Sequence, residues 1–130
     1  MALAAKLNLK PGMKLCVVGR ARTVDLGDVA TTTGAGDGVL LFATNIAELD
    51  QRVAPLIEAA RGDRLAWIAY PKAGQLDTDL NRDALWKHLL PRGIQPVRQV
   101  AVDSVWSAMR FRPATAEFQR SHGARRRTKS

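Results

Sequence analysis

The sequence predicts one α/β domain, a three-layer sandwich with a mostly parallel sheet and a C-terminal antiparallel hairpin. Residues 39–43 and 65–70 are continuously apolar, as in strands covered on both faces. Between these strands, residues 45–61 place apolar side chains at helical spacing. Strand, helix and strand in this order predict a parallel unit with a right-handed crossover.

The helix at 45–61 has a clear start and an interruption. Asn45 is a capping residue and Glu48 follows three positions later, which is a variant of the capping box. Pro55 either bends the helix or begins a second short helix that abuts the first, and we expect a kink. Gly62 is expected to end the helix.

Residues 14–18 predict the first strand, which ends at Gly19. Residues 20–38 predict at most a short strand, because threonine and glycine dominate residues 31–38. The glycines at 34–38 resemble a phosphate loop. Such loops follow a strand and open a helix, whereas this segment precedes a strand, so a flexible connection is favoured.

The second half predicts a further helix and two strands. Asp79 is expected to cap the helix, and Pro91 with Gly93 is expected to end it. Residues 95–102 and 105–112 then predict the terminal hairpin. The domain is therefore expected to span residues 1–112.

The net charge of +8 is unevenly spread along the chain. The last 21 residues carry seven of the 20 cationic side chains and only one of the 12 carboxylates, so residues 1–109 are nearly neutral. Residues 113–130 predict a basic, disordered tail. Weak nonspecific nucleic-acid binding is one hypothesis for its cationic residues, which are Arg125, Arg126, Arg127 and Lys129. A solubilising end is favoured, because the domain is expected to supply no basic face or interleaved aromatics.

The remaining composition points to a cytoplasmic protein. Cys16 is the lone cysteine, and the first residues lack the apolar stretch of a signal peptide. No apolar run approaches the roughly 18 residues of a membrane span, so no membrane partner is expected. One cysteine and two separated histidines give no metal-ligand spacing, so no metal is expected.

Several motifs carry a family resemblance. The segment LKPGMK at residues 9–14, followed by a strand and Gly19, resembles the opening of a Rossmann-like methyltransferase. Residues 39–70 resemble the fourth strand, helix and fifth strand of that fold. Residues 70–72, 77–80 and 102–111 together resemble an uncharacterised bacterial family of short, methyltransferase-related proteins, a domain of unknown function. The resemblance covers about residues 5–112 and implies a Rossmann-like fold without an established activity or cofactor.

The expected cofactor loop departs from that fold. A nucleotide or S-adenosylmethionine site needs several glycines after the first strand and an acidic residue after the second. Here Gly19 is followed by Arg20, Ala21 and Arg22, with no second glycine. The residues between Gly19 and the strand at 39–43 are too few to form a helix, a strand and a second helix. Asp25, Asp28 and Asp37 are poor candidates for ribose ligands. No cofactor is therefore predicted.

A polar cluster follows the apolar strand at 65–70. Its members are Lys72, Asp77, Thr78, Asp79 and Arg82. Open α/β sheets bind ligands beyond the carboxyl ends of their strands, so this cluster is the best candidate site. Lys72 and Arg82 are suited to binding a carboxylate or phosphate group, and Asp77 is suited to acting as a base. In the alternative, Asp79 caps the helix, Arg82 pairs with Asp79 or Asp83, and Lys72 is solvated.

A second candidate cluster lies on the predicted hairpin and contains Asp103, Trp106, Ser107 and Arg110. The sequence provides no evident base that could activate the Ser107 hydroxyl, which argues against a serine hydrolase. Trp106 is expected to pack in the hairpin rather than stack on a ligand, and Asp103 is expected to pair with Arg110. No catalytic residue is assigned.

These observations favour a non-enzymatic or weakly active binding module for a small anionic ligand or a protein partner. Two alternatives stay open. One is an enzyme related to S-adenosylmethionine-dependent methyltransferases, and the other is a nucleic-acid accessory protein acting through the basic tail.

Overall fold

The computed structural model describes residues 2–21, 24–34, 36–76 and 78–116. The strands are β1 (Leu15–Val18), β2 (Thr31–Thr32), β3 (Gly38–Phe42), β4 (Leu65–Pro71), β5 (Ile94–Ala101) and β6 (Trp106–Pro113). The helices are α1 (Leu3–Lys6), α2 (Ile46–Arg52), α3 (Ala54–Arg61) and α4 (Arg82–Leu89), and a 3₁₀ turn at Leu90–Arg92 follows α4.

The six strands form one mixed sheet in the order β2-β1-β3-β4-β6-β5. The four strands from β2 to β4 are parallel, whereas β6 is antiparallel to both β4 and β5. The predicted α/β class, mostly parallel sheet and terminal hairpin are therefore confirmed. We call the side where β1, β3 and β4 end the carboxyl edge, and the side where they begin the amino edge. β6 runs in the opposite direction and ends at the amino edge.

Apolar side chains pack against both faces of the sheet. On one face, Leu41 and Ile68 share a core with residues of α2, α3 and α4. On the other face, Leu40 and Trp67 pack with Leu7 and with residues of the segment that follows β1. This double coverage explains why β3 and β4 are apolar without alternation.

The helical segment between β3 and β4 is broken rather than bent. α2 ends at Arg52, and α3 begins at Ala54 with Pro55 in its first turn, as in the second alternative considered above. The predicted cap is confirmed, since Asn45 Oδ1 accepts a hydrogen bond from the Glu48 amide at 2.9 Å. The Glu48 carboxylate in turn accepts from the Thr44 amide at 2.8 Å.

The prediction that Asp79 caps the next helix is wrong. Asn81 caps α4, and its side chain accepts from the Ala84 amide at 2.8 Å. Asp79 Oδ1 accepts instead from the amide of Ile46, the first residue of α2, at 2.9 Å. Leu80 is buried in the core, so the chain reaches inward there before it can begin the helix.

No helix in the described part of the chain is both long enough and apolar enough to cross a membrane. Among those same residues, histidine, cysteine and carboxylate side chains form no group of three that could hold a metal ion.

An ion pair fixes the end of β6 to the turn before β4. Arg112 donates to both carboxylate oxygens of Asp63 at 2.8 and 2.9 Å. This hydrogen bonding lowers the pKa of Asp63 below its ordinary value of 3.8. Asp63 also has a left-handed backbone with φ of 57°, which asparagine tolerates well.

We therefore expect Asp63→Asn to lower the melting temperature at neutral pH and to have progressively less effect in acid. The folded-state pKa is depressed, so the stabilisation is present above pH 3.8 and is lost as the pH falls through the folded-state pKa. Thermal melts of both proteins across the acid range measure this. A difference that does not shrink with falling pH would contradict the assignment to the ion pair.

Candidate functional site

A cavity of about 390 Å³ opens at the carboxyl edge beside the end of β4. Its lining comes from four elements and the loops beside them, and comprises Tyr70, Lys72, Ala73, Asn81, Arg82, Gln99 and Ser107. The position of β6 between β4 and β5 brings Ser107 directly beside Tyr70 in the sheet. Two residues of the predicted polar cluster, Lys72 and Arg82, therefore meet at one cavity.

Tyr70 is the functional candidate that sequence reasoning missed. Its side chain is nearly inaccessible, with 3% of the residue exposed, and its hydroxyl has no hydrogen-bond partner. Burial raises the pKa of this hydroxyl above 10.0, and the Arg82 guanidinium acts in the opposite direction. The hydroxyl is thus neutral at physiological pH and is able to donate a hydrogen bond. The available signal was a tyrosine within a buried apolar strand, where its hydroxyl needs a partner.

The cavity combines positive charge with hydroxyl groups. Lys72 is half-buried, and its backbone amide donates to the Val105 carbonyl at 2.7 Å, which anchors the chain where β4 ends. Arg82 begins α4 directly after its cap. Ser107 is buried on β6 and contributes a hydroxyl. Among the described lining residues, none carries a carboxylate.

The ion pairs of the described residues do not include Arg82 with Asp79 or Asp83, so the expected pairing of Arg82 is wrong. Asp77 lies outside the described residues, and its assignment as a base stays a prediction.

Thr78 and Asp79 hold the loop that leads to α4. Thr78 donates from Oγ1 to the Thr44 carbonyl at 2.5 Å and accepts from the Leu80 amide at 2.9 Å. Asp79 binds the start of α2, as described above. These contacts fasten the loop to the turn after β3 and thereby position Arg82. Neither side chain lines the cavity.

The second predicted cluster is divided by the fold. Asp103 stabilises the hairpin turn by accepting from the amides of Val105 and Trp106, both at 2.8 Å. Trp106 is buried and packs edge-on against Phe42, with ring centroids 5.3 Å apart. Arg110 lies towards the amino edge and donates to Asn8 at 3.2 Å.

The predicted ion pair between Asp103 and Arg110 is therefore wrong. An extended strand rises roughly 3.3 Å per residue, so β6 carries Arg110 away from the turn that contains Asp103.

The turn after β1 packs against a side chain of α2. Gly19 has a φ of 70°, and a Cβ there would lie 2.5 Å from Arg52 Nη1. Arg52 also donates to the Phe42 carbonyl at 2.9 Å. The space that a side chain at Gly19 would take is thus filled by a guanidinium group, so the glycine serves the packing of Arg52.

Comparison of the sequence with models of protein families gave no match, and comparison with curated proteins gave none either. The geometry of the site therefore carries the functional argument.

Proposed function

We propose that the protein binds a small anionic ligand, bearing a carboxylate or phosphate group, in the cavity at the end of β4. The observation that carries this proposal is the buried, unpartnered hydroxyl of Tyr70 beside Arg82. A buried hydroxyl without a partner costs about 1–3 kcal/mol. A ligand oxygen that accepts its hydrogen bond recovers that cost on binding.

The lining supplies complementary ways of holding an anion. The planar guanidinium of Arg82 suits two parallel hydrogen bonds to a carboxylate or phosphate. The ammonium of Lys72 adds a compact positive charge, and the neutral hydroxyl of Tyr70 adds a donor. The described lining supplies charge and donors but no carboxylate or histidine, so binding is the function that this chemistry supports best.

The scaffold that we propose is a Rossmann-like sandwich. Its support is a mostly parallel sheet buried on both faces, with a cavity that contains charged and hydroxyl side chains at the carboxyl edge, where open α/β sheets bind ligands. Methyl transfer from S-adenosylmethionine is the less favoured function, because Arg52 fills the space at Gly19.

The proposal predicts that Lys72→Gln with Arg82→Gln abolishes ligand stabilisation while leaving the ligand-free fold intact. Thermal shift with inorganic phosphate and a panel of phosphorylated and carboxylate metabolites measures this. A ligand at 100 times its Kd stabilises the native protein by about 2.7 kcal/mol. The matched control, Lys6→Gln with Lys87→Gln, removes the same charge outside the lining of this cavity and should keep the stabilisation.

Tyr70→Phe gives a sharper readout. It removes the unpartnered hydroxyl, so the ligand-free protein should melt at the same temperature or higher. Loss of a hydrogen bond to a charged ligand should weaken binding by roughly 10- to 100-fold, which corresponds to about 1.5–3 kcal/mol. Lower ligand-free stability with unchanged affinity would refute the assignment of this hydroxyl. Stabilisation by S-adenosylmethionine would instead favour the methyltransferase alternative.

A further inference from the structure

Cationic side chains gather at the amino edge, on the opposite side of the sheet from the proposed ligand cavity. Lys14 and Arg64 directly precede β1 and β4, whose first residues are both in register with Gly38 of β3. Arg110 and Arg112 join them because β6 runs in the opposite direction. Arg61 donates to the Arg92 carbonyl at 3.0 and 2.6 Å, just before β5 begins. We define the basic edge as Lys10, Lys14, Arg61, Arg64, Arg92, Arg110 and Arg112.

The carboxylates near this edge are fewer and largely engaged. They are Asp28, Asp37, Glu58 and Asp63. Asp28 accepts from the Ala4 amide at 2.9 Å, and Asp37 accepts from the Lys14 amide at 2.8 Å. Asp63 is held by Arg112. Glu58 lies 3.8 Å from Arg64, so Arg64 and Arg112 are each paired with a carboxylate. Seven cationic side chains against four carboxylates still leave this edge with a surplus of positive charge.

The carboxyl edge is balanced by comparison. Its cations are Arg20, Arg52, Lys72 and Arg82, and its carboxylates include Glu48, Asp79, Asp83 and Asp103. Near-neutrality along the sequence thus conceals an uneven distribution of charge between the two ends of the strands.

A cavity of about 600 Å³ lies within the basic edge. Its charged lining comprises the cations Lys10, Arg64 and Arg110 and the carboxylates Asp37 and Asp63. Arg110 Nη1 donates to Asn8, but its Nε is buried without a hydrogen-bond partner. Burial, followed by the charge of Arg112, lowers the pKa of Arg110. An anionic oxygen in this cavity would satisfy the free donor and offset the repulsion between the arginines.

We propose that the basic edge binds the phosphate backbone of duplex nucleic acid without sequence preference. The basic edge runs across the ends of five neighbouring strands, in the order β1, β3, β4, β6 and β5. At about 4.8 Å between neighbouring strands, its width is roughly 19 Å. Each strand of a duplex carries a phosphate about every 3.4 Å along the axis, so a duplex lying along the basic edge would contact it through several phosphates. A small anion would contact only a few of its cationic side chains.

The course of the chain supports an extended polyanion. After β6, the Ala114 amide donates to the Gly93 carbonyl at 2.9 Å and the Thr115 amide to Gln95 at 2.8 Å, which keeps the chain at the basic edge. The sequence beyond residue 116 then adds Arg120, Arg125, Arg126, Arg127 and Lys129. A membrane surface is less favoured, because the large exposed apolar side chains of the described residues, Leu76 and Val97, are not part of this edge.

The test measures binding of the full chain to a labelled mixed-sequence duplex by fluorescence anisotropy across a salt series. The edge variant carries Lys10→Gln, Arg64→Gln and Arg92→Gln. Each lost phosphate contact should reduce the steepness of log K against log salt by about 0.9, so the edge variant should lose up to about 2.7. The control variant carries Lys6→Gln, Arg20→Gln and Lys87→Gln, which belong neither to the basic edge nor to the lining of the ligand cavity. It makes the same change in net charge and should lose much less.

Two further measurements complete the test. Substituting Arg125, Arg126 and Arg127 with glutamine should weaken binding further when combined with the edge variant. Equal losses of binding in the edge and control variants would overturn the proposal. So would a loss of binding that occurs in the tail variant and not in the edge variant. Tighter binding to phosphatidylserine vesicles than to the duplex at equal phosphate concentration would also overturn it. Unchanged melting temperatures establish that the variants are folded, and the proposed ligand cavity is not involved in either outcome.

Discussion

Gly38→Ala is expected to destabilise the domain by about 3 kcal/mol or more. A Cβ at this position would lie 2.3 Å from the Leu65 carbonyl oxygen and 2.9 Å from its carbonyl carbon. These atoms belong to the backbone of the neighbouring strand, so relief requires β3 and β4 to separate where their pairing begins. Overpacking of a core usually costs about 1–3 kcal/mol, and backbone contact places this change at the upper end.

Chemical denaturation and thermal melts measure this effect, which for a domain of this size corresponds to a fall of about 10 °C or more. Gly34→Ala is the matched control, because a Cβ there meets no atom within 4 Å. We expect the control to be neutral or slightly stabilising, since alanine restricts the unfolded chain. Equal melting temperatures for the two variants would contradict the close approach of the strands.

Trp67→Phe is expected to destabilise the protein by about 3 kcal/mol and to loosen the N-terminal segment. The Trp67 indole is fully buried and donates from Nε1 to the Leu7 carbonyl at 3.0 Å. Leu7 is itself buried directly after α1. The phenyl ring leaves a buried carbonyl without its partner, at about 1–3 kcal/mol, and also leaves a cavity.

Hydrogen exchange locates the second effect, because the amides of residues 3–9 should exchange faster in this variant while those of α3 follow global stability. Trp86→Phe is the matched control, since its indole is partly exposed and donates to Asp83 at 3.3 Å. The proposed anchoring role would be wrong if the N-terminal amides kept their protection in Trp67→Phe relative to the rest of the domain.

The sequence predicted the central architecture well because local signals and packing agree there. The continuous apolar runs of β3 and β4 predict strands that are covered on both faces. Asn45 directly before an apolar helical pattern predicts a helix N-cap. The start of α4 was mispredicted because Asp79 and Asn81 have similar capping propensity. Burial of Leu80 decided between them, and that is a tertiary effect.

The candidate site was predicted only in part. Lys72 and Arg82 line one cavity at the carboxyl edge, where the rule that ligands bind beyond strand carboxyl ends led us to expect them, and their binding of a ligand stays a prediction. The contribution of Tyr70 and Ser107 could not be predicted without knowing which strand lies beside β4. That neighbour is β6 rather than β5. The same unknown pairing hid the basic edge, since a sequence count of charge does not reveal that β6 returns Arg110 and Arg112 to the amino edge.

The position of β6 also has a consequence for biosynthesis. Among the strands of the described residues this one is made last, yet it lies between β4 and β5 and contributes Met109 and Phe111 to the core. A nascent chain that lacks residues 106–113 therefore exposes unpaired backbone on two earlier strands together with the apolar surface that β6 covers. We infer that the native sheet closes only after residue 113 has been made, and that a chain released before residue 106 is prone to aggregate.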